Sequence, residues 1–136
     1  MISTKEIKQK AFNKVAKALL KQGRPAFANG TCRYLTEDGR RCAVGWLLSG
    51  KALTFAKGIG GGIACLKSHA EGENIKLPDI IKNPKNINFL ENLQCAHDTG
   101  AFINSDESWL EQWKTEMINL AKRYKLDISV ITGVKK

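Results

Sequence analysis

Residues 31–44 read Thr31-Cys32-Arg33-Tyr34-Leu35-Thr36-Glu37-Asp38-Gly39-Arg40-Arg41-Cys42-Ala43-Val44. Asp38-Gly39 sits between two short runs, Thr31 to Leu35 and Arg40 to Val44. An Asp-Gly pair flanked in this way is the strongest short-range hairpin signal, so the stretch predicts a β-hairpin. A two-residue Asp-Gly loop pairs Leu35 with Cys42 and does not set Cys32 opposite Cys42; other loop lengths change the register. This hairpin decides the fold class, because the clearest patterns on either side of it are helical.

Upstream, Ser3-Thr4-Lys5-Glu6 fits a capping box, with Ser3 as cap and Glu6 reaching back. Ile7, Ala11, Val15, Ala18 and Leu19 recur at helical spacing, widened by Phe12 and Ala16. Gly23 and then Pro25 end the pattern, which predicts an amphipathic helix over residues 4–22. Downstream, Trp46-Leu47-Leu48 and Ala52 to Ala56 read as a short helix or an irregular apolar segment. Gly58 to Gly62 reads as a flexible break, Ile63 to Ala70 as two helical turns, and residues 71–86 as a polar loop punctuated by Pro78 and Pro84. Asn83-Pro84 starts a helix with Ile87, Leu90, Leu93 and His97 near one face, ended by Gly100. A last long helix begins near Asn104 or Ser105, with Asp106 and Glu107 in its first turn. Leu110, Trp113, Met117, Leu120 and Tyr124 form its stripe. Leu126 to Ile131 reads as a short strand and the tail from Val134 as frayed. The expected fold is α+β: about three main helices packed on a small antiparallel hairpin sheet, in a single domain over residues 1–136.

The 136 residues carry 22 Lys and Arg against 13 Asp and Glu, a net charge of +9. Such an excess attracts polyanions over long range, which points to nucleic acid, a nucleotide or an acidic host protein as partner. No apolar run reaches the roughly 20 residues a spanning helix needs, and the lysine-rich start lacks the apolar core of a signal peptide. The expectation is no membrane partner and a cytoplasmic location. Four cysteines, Cys32, Cys42, Cys65 and Cys95, are read as free thiols in a reducing compartment, with a metal site or disulfides as the alternatives.

Beyond the hairpin stretch, Cys42-Ala43-Val44-Gly45-Trp46-Leu47 follows directly, Gln22-Gly23 ends the first helix, and Leu93-Gln94-Cys95-Ala96-His97-Asp98 precedes a tryptophan-bearing helix from Trp109 to Tyr124. In this order the residues resemble a family of small uncharacterised phage and prophage proteins. The glycine run at 58–62 and the lysine-rich loop after it depart from the acidic segment of that family. The resemblance implies a phage-type accessory protein, acting in the cytoplasm of a bacterial host, in host takeover or counter-defence. It carries no chemistry over.

Four candidate sites emerge. A thiol centre would use Cys42 as nucleophile and His97 as base, with Asp98 as orienting acid; adjacent helical residues point about 100° apart, so Asp98 is expected to orient His97 poorly. The competing reading is a structural cysteine and a core histidine. Cys65 and His69 share one helix face at four-residue spacing, and Cys32, Cys42, Cys95 and His97 are the further ligands that would complete a zinc set, although no Cys-x-x-Cys knuckle is present. No cofactor is expected beyond this possible zinc. Lys57 with Gly58 to Gly62, Gly60 and Gly61 at its centre, offers backbone N–H groups to an anion, but lacks P-loop spacing; a mobile loop is the simpler reading. Finally, Lys10, Lys14, Lys17 and Lys21 recur at spacings of four, three and four, with only Glu6 acidic among the first 24 residues. Such a stripe tracks phosphates or merely solvates a helix. Arg24, Arg33, Arg40 and Arg41 extend it if the hairpin lies alongside, and Tyr34 is the aromatic available to stack a base. Trp109 and Trp113, four apart, read as core. The leading expectation is a non-enzymatic binder of an anionic partner; the alternative is a small Cys/His thiol hydrolase or transferase.

Overall fold

The computed structural model describes residues 4–28, 31–59, 62–99 and 105–133. Helix α1 spans Thr4–Gln22 and buries Ala11, Phe12, Val15, Ala16 and Leu19, the stripe its periodicity predicts. It stops where expected: Gly23 takes φ +71° and its N–H returns to the Leu19 carbonyl at 2.8 Å, a left-handed step that glycine makes without steric cost. The capping-box serine, Ser3, lies outside the described residues.

The expected hairpin does not form a sheet. Strands β1 (Phe27–Ala28) and β2 (Thr31–Cys32) pair antiparallel over two residues each, too little for a layer. Thr31–Cys32 thus takes its partner from the segment before it, not from Arg40 to Val44. Past it, one isolated bridge joins Leu35 to Arg41, with the Thr36 N–H on the Arg40 carbonyl at 2.8 Å. The register is one residue off the Leu35–Cys42 pairing, because the loop holds three residues, Glu37 to Gly39, with Gly39 at φ +88°. The second run then leaves the ladder. The Arg41 N–H and carbonyl are taken by the Gln22 side chain, each at 3.0 Å. Val44–Leu47 winds into a 3-10 turn. That turn packs so tightly that a Cβ on Gly45 would stand 2.1 Å from the Tyr34 carbonyl oxygen. The chain is therefore mostly helical, not α+β.

Six more helices complete the described residues: α2 (Gly50–Lys57), α3 (Ile63–Gly72), α4 (Asp79–Lys82), α5 (Ile87–Asp98), α6 (Asp106–Tyr124) and α7 (Ser129–Thr132). Within the expected polar loop, Leu77 and Ile81 are buried around the single turn of α4. Asn83 caps a 3-10 turn at Pro84–Asn86, accepting from the Lys85 N–H at 3.0 Å, and α5 follows. Ser105 caps α6, its hydroxyl accepting the Ser108 N–H at 3.1 Å. The expected strand at Leu126 to Ile131 is absent. The Asp127 N–H and carbonyl are held by the Gln9 side chain, at 2.8 and 3.1 Å, and the Asp127 carboxylate accepts from the Ser129 hydroxyl at 2.5 Å, turning the chain into α7.

The buried apolar residues form one cluster. Helix α1 packs on the 44–47 turn, α6 and α7, while α5 packs on α3 and α6. Phe12, Leu19, Phe89, Leu90, Leu93 and Met117 are among the fully buried side chains, each contributing about 1.5–3 kcal/mol of transfer free energy. Trp109 and Trp113 stack at 5.7 Å between ring centres inside this core, as their spacing predicts. No helix among the described residues is long and apolar enough to cross a membrane.

Candidate functional site

A groove of about 580 Å³ lies between the second half of α1 and the 36–46 segment. Its walls are Lys14, Lys17, Ala18, Lys21 and Gln22 on one side and Asp38, Gly39, Arg40 and Trp46 on the other. That volume lies within the usual range for small-molecule sites. Its surface is chiefly apolar: lysine stems, the Ala18 methyl and the indole, with the ammonium groups reaching past them to water.

Gln22, the last residue of α1, ties the two walls together. Its Oε1 accepts the Arg41 N–H at 3.0 Å and the Trp46 indole N–H at 3.2 Å. Its Nε2 donates to the carbonyls of Arg24 at 2.7 Å and Arg41 at 3.0 Å. The full donor and acceptor capacity of the amide is used, fixing the turn against the helix. The Arg41 guanidinium lies 4.5 Å from the centre of the Trp46 ring and donates to the Leu48 carbonyl at 3.3 Å. Trp46 lines the groove and Arg41 does not.

On the far wall, Asp38 accepts from the Thr36 hydroxyl and, at 3.0 Å, from Arg40 Nε. These hold its carboxyl down to about 2, the Thr36 hydroxyl chiefly and Arg40 next. Arg24 also reaches it at 3.2 Å, and Arg40 Nη1 donates to the Pro25 carbonyl at 2.8 Å. Arg40 within the wall balances the Asp38 charge, and Arg24 adds a second guanidinium from outside it. Across from it, Lys14, Lys17 and Lys21 form no ion pair within 4.0 Å among the described residues.

The structure thus brings Lys14, Lys17, Lys21 and Arg40 to one groove. Lys10 is exposed on the same helix but outside it, and Arg41 acts behind it, on Trp46. Tyr34 is not an available stacking surface. It is 5% exposed, and burial pushes its phenol well above the usual range. Trp46 is the aromatic residue that sequence reasoning missed. Its one signal was position, directly after Gly45 and five residues past the basic 40–41 pair.

The thiol residues lie in a different place. Cys42 is buried, its Sγ accepting the Gly45 N–H at 3.4 Å, and burial pushes its thiol up to about 12. His97 is fully buried. The Ala26 N–H, which can only donate, points at His97 Nε2 at 2.9 Å, so the ring proton sits on Nδ1, 2.7 Å from Asp98 Oδ1. Adjacent side chains therefore do meet here, against the helical-wheel expectation: Nδ1 lies close to its own backbone, and Asp98, at the helix end, bends back to it. Asp98 Oδ1 also accepts from Gln94 Nε2 at 3.1 Å, and Gln94 Oε1 accepts the Val44 N–H at 3.1 Å. The Trp109 indole donates to the His97 carbonyl at 2.8 Å. Both ring nitrogens of His97 are engaged by groups other than the thiol, and the network ties α5 and α6 to the segment after α1.

Cys65 and His69 do share a face of α3. His69 Nδ1 stands 2.9 Å from the Cys65 carbonyl and 3.5 Å from Sγ. No third His, Cys, Asp or Glu joins them as a metal cluster among the described residues. Lys57 pairs with Glu37 at 3.3 Å; Gly60 and Gly61 lie outside the described residues. Comparison with protein-family models, curated proteins and solved structures finds no match to this chain.

Proposed function

We propose that this chain is a non-enzymatic accessory protein that binds an anionic partner in the groove between α1 and the 36–46 segment. One observation carries the reading: three lysines that form no ion pair among the described residues line one wall of a mostly apolar cleft, and the single carboxylate found on the other wall is already paired with Arg24 and Arg40. A lysine coat that only solvates a helix needs no cleft opposite it. The net charge of +9 adds long-range attraction for the same class of partner. The resemblance of the 32–47 and 93–98 segments to small phage and prophage proteins suggests the setting, the cytoplasm of a bacterial host.

The test is an ionic-strength titration of binding to a polyanion. Affinity should fall steeply with salt, by a log–log slope of about −0.7 for each phosphate contacted on a single strand. The triple variant Lys14→Glu, Lys17→Glu, Lys21→Glu should abolish most of that dependence while the fold is retained, because all three side chains are exposed. Binding that is indifferent to salt contradicts the reading.

A further inference from the structure

We infer that the occupant of this groove is a single-stranded nucleic acid, one base of which stacks on the Trp46 indole while its phosphates follow Lys14, Lys17 and Lys21. The inference rests on the anion-binding reading of the groove and adds the chemistry of the ligand.

A small inorganic anion is recognised by convergent N–H donors and has no use for apolar wall. Here the wall is mostly apolar, with Ala18 and the indole in it, so the ligand carries a flat apolar body as well as charge. Trp46 is suited to receive such a body. It is half-buried, its N–H is anchored on Gln22 at 3.2 Å, and the Arg41 guanidinium sits over the ring at 4.5 Å. The platform is held in place before any ligand arrives, and stacking on a preformed aromatic surface is tolerant of base identity.

The lysines argue for a chain of charges over a single one. From Lys14 to Lys21 the helix rises about 10 Å, the length of roughly three nucleotides at the 3.4 Å stacked spacing. A mononucleotide would leave part of that row unanswered. A duplex would answer the row but hold its bases in the stack, with no free face for the indole. Asp38, the one carboxylate in the wall among the described residues, does not repel the strand, because Arg24 and Arg40 bracket it at 3.2 and 3.0 Å.

The experiment uses the full-length protein and three probes: a short fluorescein-labelled oligo(dT), a duplex of the same length, and poly-glutamate. Oligo(dT) is expected to bind about tenfold more tightly than the duplex, and Trp46→Ala to weaken oligo(dT) binding about tenfold while leaving poly-glutamate binding unchanged. Should that variant fail to fold, the unaltered protein gives the same answer. Trp109 and Trp113 are buried, so acrylamide quenching reports Trp46, and oligo(dT) should protect it where poly-glutamate does not. Equal binding of all three probes, without protection of Trp46, overturns the inference and leaves the groove as a general anion surface. Tightest binding to poly-glutamate overturns it in favour of an acidic protein. Binding of none of the three overturns the anion-binding reading as well.

Discussion

The indole N–H of Trp46 donates to the side-chain oxygen of Gln22 across 3.2 Å, joining the end of the first helix to the turn that faces it. The same oxygen accepts the Arg41 N–H, and the amide nitrogen donates to two carbonyls. A single side chain thereby ties the two walls of the groove together and consumes the backbone edge that a hairpin ladder would have used. Gln22→Ala should cost about 1–3 kcal/mol in urea denaturation, since it strands partly buried backbone groups of Arg41. It should also free the Trp46 ring, seen as a rise in acrylamide quenching.

His97 is a latch between helix α5 and the segment after α1. Removing its ring orphans the Ala26 N–H and opens a cavity beside Trp109, whose ring lies 5.8 Å from that of His97. His97→Ala should therefore destabilise by about 3 kcal/mol or more. His97→Gln, which keeps an acceptor near the same place, should recover part of the loss. Equilibrium denaturation of both variants measures this, and an unchanged midpoint for His97→Ala would contradict the latch.

Cys42 should be the slow thiol. Burial removes it from solvent and pushes its pKa up to about 12, so little thiolate exists at neutral pH. With iodoacetamide at pH 8, exposed Cys95 and half-buried Cys65 should be modified in the native protein, and Cys42 only on unfolding. Mass spectrometry of timed digests reads the order. A Cys42 that alkylates first would revive the thiol-enzyme reading.

Asp38 supplies an acid-sensitive element. Its carboxyl is held at about 2, below its usual 3.8, by the Thr36 hydroxyl first and Arg40 second. A depressed folded-state pKa stabilises fully above the unfolded value and loses that contribution as pH falls towards the folded one. The stability gap between the unaltered protein and Asp38→Asn should be constant from about pH 5 to pH 7 and shrink between about pH 4 and pH 2. Thermal melts across that range test it. A gap that widens in acid would have the wrong sign.

The long helices were legible because their signals are local and repeat over several turns. Ala11, Phe12, Val15 and Leu19 in α1, Gly23 at its end, and Ser105 at the start of α6 behave as read. The hairpin was misread because its turn is real but its ladder is decided elsewhere. Thr36, Asp38 and Gly39 close the turn, yet residues 27–28 pair with 31–32, and Gln22 captures Arg41. Leu126 to Ile131 failed as a strand for the same reason, since Gln9, far away in sequence, claims the Asp127 backbone. In the groove, the lysine row was visible as spacing. Trp46 was not, because its role depends on the tertiary pairing with Gln22 and Arg41. Asp98 was misjudged by a helical wheel, which ignores how far a side chain at a helix end bends.

The central claim is that the groove between α1 and the 36–46 segment is where the anionic partner sits, and a ¹⁵N–¹H NMR titration with oligo(dT) tests it most directly. Shift changes should concentrate at Lys14 to Gln22, Asp38 to Arg40 and the Trp46 indole N–H, while the indole signals of Trp109 and Trp113 stay still. Shifts confined to the α6 face around Glu107 and Glu111, or a spectrum that oligo(dT) and poly-glutamate both leave untouched, would contradict it.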